Sequence, residues 1–353
     1  MRVLVAMSGG VDSSVAAALM LREGHEVVGA TMKLWGGPSD SGCCSVADVE
    51  DARRVAQQLG IAHYVFNFTS DFERQVVGPY VAAHTRAVTP NPCIACNAHL
   101  KFGRFLDRAG LLGFDAIATG HHARVTTSGG TWQLRRGRDA AKDQSYVLYM
   151  LSQPQLAHLR LPVGEMTKEA VRQVARQSGL RTATKPDSQD VCFISREAGR
   201  GGFLAARIPV GGGRLVTTAG EDIGGVGALE LVTIGQRRGL GLRPRSRPER
   251  RYVVEVDMGC RTATIGRLED LLVDRTEVAG LSWSGAPLPS GAPVEAQLSA
   301  HGRPLPAWWE GGPESGTVIF GEPARRVAPG QAVVLYEPAA GGGDSVIGGG
   351  TAL

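Results

Sequence analysis

The chain has 353 residues, of which 43% are hydrophobic, and it carries a formal net charge of +4. This length is too great for one ordinary core, so two or three domains are expected in a globular protein. No apolar run approaches the roughly 20 residues that a membrane helix needs, and the N-terminus lacks the apolar segment of a signal peptide, so we expect a cytoplasmic protein without a membrane partner. The positive charge permits a nucleic-acid partner without requiring one.

Residues 1–120 alternate between strand-like and helix-like segments. The pattern predicts strands over 3–6, 26–34, 64–68 and 114–119, and helices over 14–21 and 46–59. Gly60 stands where a helix C-terminus favours a left-handed residue. Repeated βα units of this kind predict a parallel sheet that is covered by helices on both faces.

The pattern changes near residue 200. The glycine- and arginine-rich stretch 199–213 predicts a linker, and short β-like segments follow at 229–233, 252–256, 262–265, 294–298, 317–320 and 332–336. The tail after residue 338 is either disordered or contributes a last strand at 346–350, and we favour the strand. The predicted fold class is therefore α/β, with an N-terminal parallel-sheet domain over 1–200, a small central mixed domain over 205–275 and a C-terminal β-barrel, or alternatively a sandwich, over 276–353.

A glycine-rich string, Ser8-Gly9-Gly10-Val11-Asp12-Ser13-Ser14, lies between the first predicted strand and the first helix. A helix N-terminus offers N–H groups and the positive end of its dipole to an anion, and the two glycines let the backbone approach phosphate oxygens closely. Asp12 would repel phosphate on its own, so we expect it to act through Mg²⁺. The alternative is an ordinary glycine-rich turn, but the full string resembles the loop of the N-type ATP pyrophosphatases, which split ATP between the α and β phosphates.

The six cysteines are not expected to form a disulfide scaffold in a cytoplasmic protein. Cys93 and Cys96 form a C-x-x-C pair at the start of a predicted helix, where a thiolate is stabilised. A structural zinc half-site is the alternative, but no second C-x-x-C follows. Three cysteines, counting Cys192, suit chemistry better than a structural role, as a redox pair or an open-site cluster. Cys43 and Cys44 are interpreted as neighbours by chance, without a shared function, and Cys260 as a buried cysteine that serves only in packing.

Six strings together resemble one family, the bacterial tRNA-specific 2-thiouridylases, which are N-type ATP pyrophosphatases that thiolate the wobble uridine of tRNA. They are spread in order along the chain: Ser8-Gly9-Gly10-Val11-Asp12-Ser13; Thr89-Pro90-Asn91-Pro92 with Cys96-Asn97; Ala118-Thr119-Gly120-His121; Lys142-Asp143-Gln144-Ser145-Tyr146; Lys185-Pro186-Asp187-Ser188 with Cys192-Phe193-Ile194; and Gly235-Gln236-Arg237-Arg238-Gly239-Leu240-Gly241. The resemblance implies an adenine nucleotide alpha hydrolase-like N-terminal domain and a β-rich remainder.

The resemblance also implies a mechanism in which ATP adenylates O2 of the uridine and sulfur then displaces AMP. Cys192 would carry a persulfide that a sulfur-relay protein or cysteine desulfurase supplies, and Cys96 would be the nucleophile that closes a disulfide with Cys192. The implied nucleotide-binding residues are Ala6, Met7, Ser8, Gly9, Gly10, Val11, Asp12, Ser13, Met32 and Gly120. The implied contacts to the target base and to tRNA are Asn91, Pro92, Cys93, Lys142, Asp143, Gln144, Ser299 and Ala300.

Two positions depart from the family pattern. Many members have Asp where this chain has Cys93, which places the acid/base role of that Asp in question, and an Arg-Tyr pair is replaced here by Ser299 and Ala300. Cys93, Cys96 and Cys192 resemble the three cysteines of relatives proposed to hold a [4Fe–4S] cluster, in which one iron is left open to bind sulfide. A persulfide and a cluster therefore stand as equal hypotheses for the sulfur carrier.

Several features admit a plainer interpretation. The arginines at 237, 238, 243, 245, 247, 250 and 251 form either a surface loop or a phosphate-contacting patch, at even odds. His121 and His122 either contact ATP or the base, or pack. The helix predicted over 167–178 is interpreted as a solvated surface helix, because Lys168, Arg172 and Arg176 are spaced by four. An amidating ATP pyrophosphatase and an RNA-binding module with a degenerate loop are the competing functions.

Overall fold

A parallel sheet forms the centre of the N-terminal domain. The computed structural model describes residues 1–35, 45–187, 191–195, 197, 199–242, 250–338 and 343–353. The five parallel strands, in the order β3-β2-β1-β4-β7, are β1 (Arg2–Ala6), β2 (Glu26–Lys33), β3 (His63–Asn67), β4 (Ala116–Ala118) and β7 (Leu159–Arg160). An antiparallel hairpin of β5 (Ala123–Ser128) and β6 (Thr131–Arg136) follows β4. The strands that alternation and apolar runs predict in residues 1–120 are all present.

Helices cover both faces of this sheet, as the βα pattern predicts. Their bounds are α1 (Val11–Arg22), α2 (Val46–Gln58), α3 (Thr69–Phe72), α4 (Gly78–His84), α5 (Pro92–Ala95), α6 (Phe105–Leu111), α7 (Gln153–Ala157) and α8 (Lys168–Gln177). A π-helical segment, Glu73–Val77, joins α3 to α4, and a second one, Cys96–Arg104, joins α5 to α6. No helix among the described residues is both long and apolar enough to cross a bilayer.

The alternation of side chains along β1 separates two cores. Leu4 and Ala6 face the core that contains helices 69–84 and 92–111. Val3 and Val5 face the other core, which contains α1, α2 and α8. Because successive side chains of a strand point to opposite faces, a single run of apolar residues supplies both layers.

The central domain is a small four-stranded sheet, β10-β11-β8-β9. Its strands are β8 (Gly213–Thr217), β9 (Asp222–Val226), β10 (Tyr252–Asp257) and β11 (Thr262–Gly266). The strand predicted at 229–233 is wrong, because Leu229–Leu231 is a 3₁₀ turn. Leu229 and Val232 are both buried in the core of this domain, and a spacing of three residues places side chains on one side of such a turn.

The linker predicted at 199–213 is wrong over its first half. Residues Gly199–Ala205 form helix α9, and Phe203 and Leu204 of this helix are buried in the core of the N-terminal domain. The glycines of this helix disfavour it intrinsically, so tertiary burial of two apolar side chains overrides local propensity.

The C-terminal domain is a closed barrel in the order β12-β15-β14-β13-β16-β17. The strands are β12 (Leu272–Trp283), β13 (Ala292–Gln297), β14 (Leu305–Gly311), β15 (Ser315–Arg325), β16 (Ala332–Tyr336) and β17 (Val346–Ala352). The β-barrel prediction is confirmed, and the tail contributes the last strand. Since β12 pairs with β17, the barrel closes and leaves neither of these strands as an exposed edge.

The barrel packs directly on the N-terminal domain through Tyr336. This residue is buried in the same core cluster as the helices 69–84 and 92–111. The guanidinium of Arg136 lies 3.6 Å from the centre of its ring, and its hydroxyl lies 3.0 Å from the Ser145 hydroxyl. Burial raises the pKa of Tyr336, so the phenol is neutral at the interface. Two domains that share one core cluster are expected to unfold together.

Two adjacent tryptophans on β14 test the barrel core. Trp309 is 0% exposed, whereas Trp308 is 46% exposed on the opposite face of the strand. Trp309→Ala should lower the free energy of unfolding by about 3–5 kcal/mol, because it leaves a large cavity. The matched Trp308→Ala change should stay within about 0.5 kcal/mol, as surface changes do. Denaturant unfolding measures both, and equal effects would contradict the assignment of the two faces.

Candidate functional site

The glycine-rich loop predicted to bind phosphate connects β1 to α1 at the carboxyl edge of the sheet. Gly9 adopts a φ of 72°, and a Cβ atom at this position would lie 2.3 Å from the Asp48 carbonyl oxygen. The hydroxyls of Ser13 and Ser14 donate to the Gly10 carbonyl at 3.1 and 2.8 Å. Gly10 is the N-cap of α1 and provides no side-chain cap, so the first N–H groups of the helix face the loop. This geometry suits an anion.

Asp12 is the charged centre of the loop. Lys168 Nζ lies 2.8 and 2.7 Å from its two carboxylate oxygens, and His122 Nε2 lies 3.1 Å from the first of them. Burial alone would raise the pKa of Asp12, but the hydrogen bonds from His122 and Lys168 outweigh it and hold the pKa below its usual value. The carboxylate is therefore charged at neutral pH, although its side chain is only 29% exposed.

Lys168 also links Asp12 to a second carboxylate. Its Nζ lies 2.9 Å from Asp187, which additionally binds Lys142 and Arg172 at 2.8 Å each. The interpretation of the 167–178 helix as a solvated surface is therefore wrong for its first turns, because the Lys168 side chain is only 13% exposed. A sequence signal for this role exists. A lysine in the first turn of a helix opposes the helix dipole, so a specific acidic partner is needed to offset that cost.

Segment 119–122 follows β4 and packs against the loop. A Cβ at Gly120 would lie 2.6 Å from the backbone of both Asp12 and Ser13, so only glycine permits this contact. His121 is buried and bonds to the Thr119 hydroxyl at 2.7 Å. Burial, followed by the charge of Lys101, holds the pKa of His121 well below its usual value, so its ring is neutral.

The predicted nucleotide residues thus meet at one edge of the sheet. Ala6 and Met7 end β1, Val11 begins α1, and Met32, which is buried, lies near the end of β2. Gly120 follows β4 on the same edge. Ligands of open parallel sheets bind beyond the carboxyl ends of the strands, and this arrangement matches that rule.

The C-x-x-C pair lies at the start of the helix that runs over 92–111. The Asn91 side chain caps this helix by accepting a hydrogen bond from the Cys93 amide at 3.0 Å, and Pro92 occupies the first helical position. Cys93 is half-buried. Cys96 is 7% exposed and begins the π-helical segment. Segments of π-helix are rare in proteins overall, and those that occur are often found at functional sites.

Cys192 is half-buried and is anchored by its neighbour Phe193. The Phe193 ring packs edge-on against Phe72 and Tyr80, with ring centres 5.5 and 5.6 Å apart. Cys96 belongs to the same apolar cluster, and Cys192 packs against it. The structure therefore places both predicted catalytic cysteines around one core.

A hydrogen-bonded brace joins the cysteine helix to the phosphate loop. Asn97, next to Cys96, donates to the Val147 carbonyl at 2.9 Å. The Val147 amide donates to the Gln144 carbonyl, and the Gln144 side chain accepts from the His122 amide at 2.9 Å. His122 in turn binds Asp12. Segment 142–148, which we call the brace, therefore fixes the loop and the cysteine helix relative to each other.

Three of the residues predicted to contact tRNA, Lys142, Asp143 and Gln144, lie in this brace. The Asp143 carboxylate accepts from the amides of Gly137 and Ser145, at 2.9 and 3.0 Å, and from Arg136 at 3.1 Å. Arg136 also donates to Gln297 at 2.8 Å, and Gln297 donates to the carbonyls of Ser299 and Ala300 at 2.9 and 3.3 Å. Asp143 and Gln144 thus hold backbone in this structure, and their contact with tRNA stays a prediction.

The donor groups of the described residues bear on the metals that the sequence suggests. Among these residues, no three His, Cys, Asp or Glu side chains are grouped so as to hold a single metal ion, and a [4Fe–4S] cluster on Cys93, Cys96 and Cys192 stays a prediction. Mg²⁺ is commonly held by one carboxylate together with nucleotide phosphates, and Asp12 is the carboxylate of the loop, where both of its oxygens accept from Lys168; its binding of Mg²⁺ stays a prediction.

The remaining cysteines lie apart from the site or outside the described residues. Cys43 and Cys44 fall in the stretch 36–44, outside the described part of the chain. Cys260 is exposed, so its interpretation as a buried packing residue is wrong. It occupies a turn in which its amide donates to Asp257 at 2.9 Å, and polar turns of this kind lie at the surface.

Fold and site together define an α/β nucleotide-binding enzyme of the ATP-pyrophosphatase type with a C-terminal barrel. Residues 1–196 match the family model described as a tRNA methyl transferase HUP domain, and residues 274–352 match an aminomethyltransferase β-barrel domain. A tRNA-specific 2-thiouridylase of Mycobacteroides abscessus is 45% identical over 99% of this chain and 98% of that protein. Another, of Acidothermus cellulolyticus, is 44% identical over 95% and 94%. The chain belongs to the tRNA-specific 2-thiouridylase family.

Replacing Lys168 tests the electrostatics of the loop. Lys168→Met removes the ammonium that neutralises Asp12, so the loop should repel phosphate and the affinity for ATP should fall at least about tenfold. Arg176→Met, an exposed position on the same face of α8, is the matched control and should bind ATP as the parent does. Calorimetric titration with ATP checks both, and equal affinities in the two variants would refute the role of Lys168.

Replacing Gly120 tests the close contact behind the loop. Gly120→Ala forces a Cβ into the backbone of Asp12 and Ser13, so the loop should shift and ATP affinity should fall by about tenfold or more. The control, Gly110→Ala in α6, has open space around its Cβ and should preserve affinity. If ATP binds the Gly120→Ala protein as well as the control, the contact is not needed for the loop.

Proposed function

We propose that this chain is an ATP-dependent tRNA sulfurtransferase that replaces O2 of the wobble uridine with sulfur. Family membership over nearly the full length supports this assignment. The observation that carries it is the brace from Asn97 through Val147 and Gln144 to His122, because it joins a phosphate-binding loop to a buried cysteine. An enzyme that couples nucleotide chemistry to sulfur transfer needs these two elements at a fixed separation.

The first step activates the uridine. The nucleotide phosphates bind against the N-terminus of α1, where Lys168 supplies positive charge beside Asp12. Mg²⁺, when bound by Asp12 and the phosphates, would offset the charge that develops there. O2 of the uridine attacks the α phosphate, the bond to the β phosphate breaks, and pyrophosphate leaves. The urea-like C2, a poor electrophile, then carries AMP as a leaving group.

The second step transfers sulfur. A persulfide on Cys192 attacks C2 through its terminal sulfur, and AMP leaves. The Cys96 thiolate then attacks the inner sulfur of Cys192, which releases the terminal sulfur on the base and forms a disulfide between the two cysteines. In this step the Cys96 thiolate is oxidised and the transferred sulfur is reduced, so two external thiols or a dithiol must reduce the disulfide before the next turnover.

Partial exposure of Cys192 suits its loading by another protein. A sulfur-relay protein or a cysteine desulfurase must reach the thiol to deliver sulfur, and Cys192 is half-buried whereas Cys96 is buried. The division of roles follows: the more accessible cysteine receives sulfur, and the buried one resolves the persulfide. A cluster held by Cys93, Cys96 and Cys192 stays the alternative sulfur carrier, and no step is assigned to it here.

The base and tRNA contacts complete the proposal. Asn91, Pro92 and Cys93 lie at the start of the cysteine helix, so they would border the uridine that Cys96 must reach. Lys142 would bind a tRNA phosphate with its ammonium in exchange for Asp187. Cys93 provides no carboxylate at this position, so acid/base assistance from that position is not part of the proposal.

Two cysteine variants test the function. Cys96→Ser and Cys192→Ser should each abolish 2-thiouridine formation and leave ATP affinity unchanged, because neither cysteine lies in the phosphate loop. Cys260→Ser, an exposed cysteine of the central domain, is the matched control and should retain activity. The readout is mass spectrometry of wobble uridine after incubation of an unmodified tRNA transcript with ATP, Mg²⁺ and a persulfide donor.

The same spectrum separates the competing functions. Exchange of oxygen for sulfur supports thiolation, addition of a methyl group would favour the activity that the family-model description names, and exchange for nitrogen would favour amidation. Thiolation that persists undiminished in Cys96→Ser would overturn the proposed role of this residue.

A further inference from the structure

A basic pocket lies between α9 and a turn of the central domain, and it includes part of the Gly235–Gly241 string that the proposed chemistry does not use. It has a volume of about 460 Å³ and is lined by Arg200, Thr233, Ile234, Gln236, Arg237 and Arg238. Three of these six side chains are guanidinium groups and none is acidic. This volume has room for a phosphate together with its attached sugar, rather than for a small ion alone.

The turn that carries Arg237 and Arg238 is held in place by hydrogen bonds from the Gln236 side chain and to strand β10. The Gln236 side chain accepts from the Thr233 amide at 3.0 Å and donates to the Arg238 carbonyl at 2.9 Å. The Gly235 amide and the Gln236 carbonyl both pair with Val253, at the second residue of β10, at 2.8 and 3.0 Å. A pre-organised turn of this kind lowers the entropic cost of binding a ligand.

The positive charges of the pocket are not neutralised by described acidic residues. No ion pair joins Arg200, Arg237 or Arg238 to an acidic side chain within the part of the chain that the structure describes. Glu230, the acidic residue nearest in sequence to Arg237 and Arg238, is buried and binds Arg261 at 3.0 Å instead. Arg237 and Arg238 are exposed, so a large ligand can reach them. Guanidinium groups suit phosphate because their paired N–H groups match its oxygens.

The pocket borders the cysteine side of the N-terminal domain. Arg200 belongs to α9, which packs its Phe203 ring against Phe193, next to Cys192. Burial is the main reason that the pKa of His84 lies below its usual value, and the nearby charge of Arg200 adds to this lowering. The His84 ring contacts the Tyr80 ring at 4.5 Å between centres, and Tyr80 in turn contacts Phe193. One RNA could therefore lie across the pocket and the cysteine site together.

We propose that Arg200, Arg237 and Arg238 bind a backbone phosphate of the tRNA whose uridine is thiolated. The inference rests on the proposed function. The pocket holds the RNA through its sugar–phosphate chain, so it contributes affinity and orientation rather than sequence selectivity. Of the arginines noted in the sequence, Arg243, Arg245 and Arg247 lie outside the described residues.

The test compares two double variants that lose the same charge. Arg237→Gln with Arg238→Gln removes the exposed arginines of the pocket. Arg22→Gln with Arg176→Gln is the control, because these exposed residues lie on α1 and α8, against the opposite face of the sheet. Binding of an unmodified tRNA transcript is measured over a series of salt concentrations, together with ATP affinity and thermal stability.

The pocket variant should bind tRNA at least about fivefold more weakly, and the slope of log affinity against log salt should fall by about two relative to the control. ATP affinity and thermal stability should match the parent protein. Equal tRNA affinity and slope in the two double variants would overturn the inference, as would a loss confined to binding of inorganic phosphate or pyrophosphate. Absence of 2-thiouridine with the parent protein would instead refute the proposed function, so the two failures are distinguishable.

Discussion

The site depends on one ammonium group, that of Lys168, which lies between the carboxylates of Asp12 and Asp187. Without this group, two negative charges would face each other beside a loop that must accept phosphate, and repulsion would disfavour both the loop and its ligand. Removing charges from water is costly, so the network is not expected to add much to the free energy of unfolding. Its value lies in geometry, because it holds the loop in a shape that is complementary to an anion.

The same network connects three parts of the candidate site. Asp187 lies five residues before Cys192, and its carboxylate binds Lys168, Lys142 and Arg172. Arg136 extends the connection to the barrel, since it contacts Asp143, Gln297 and the Tyr336 ring. The barrel thus supports the brace.

Local features of the sequence predict the strands, the phosphate loop and the cysteine helix, because each depends on neighbouring residues. The pairing of Lys168 with Asp12 spans 156 positions, and no local pattern contains it. Helix α9 escapes prediction for a related reason: its glycines favour a linker, and only the distant core that receives Phe203 favours a helix. Cys260 was assigned to a core because cysteine is usually buried, but an Asp at position 257 forms a turn there and keeps it at the surface.

Residues Cys96–Arg104 are π-helical, so the side chains of the cysteine helix point in directions that they would not have if the same sequence were α-helical. Each residue of an α-helix advances the side-chain direction by about 100°, and a π segment turns more slowly. Cys96 lies at one end of this segment, and Phe102, whose ring centre is 5.6 Å from His121, lies near the other. Loss of a single residue between them would let this segment become an ordinary α-helix that still packs its apolar side chains. It would change the direction of the Cys96 thiol relative to Phe102 and His121, so the number of residues in this helix is constrained as well as their type.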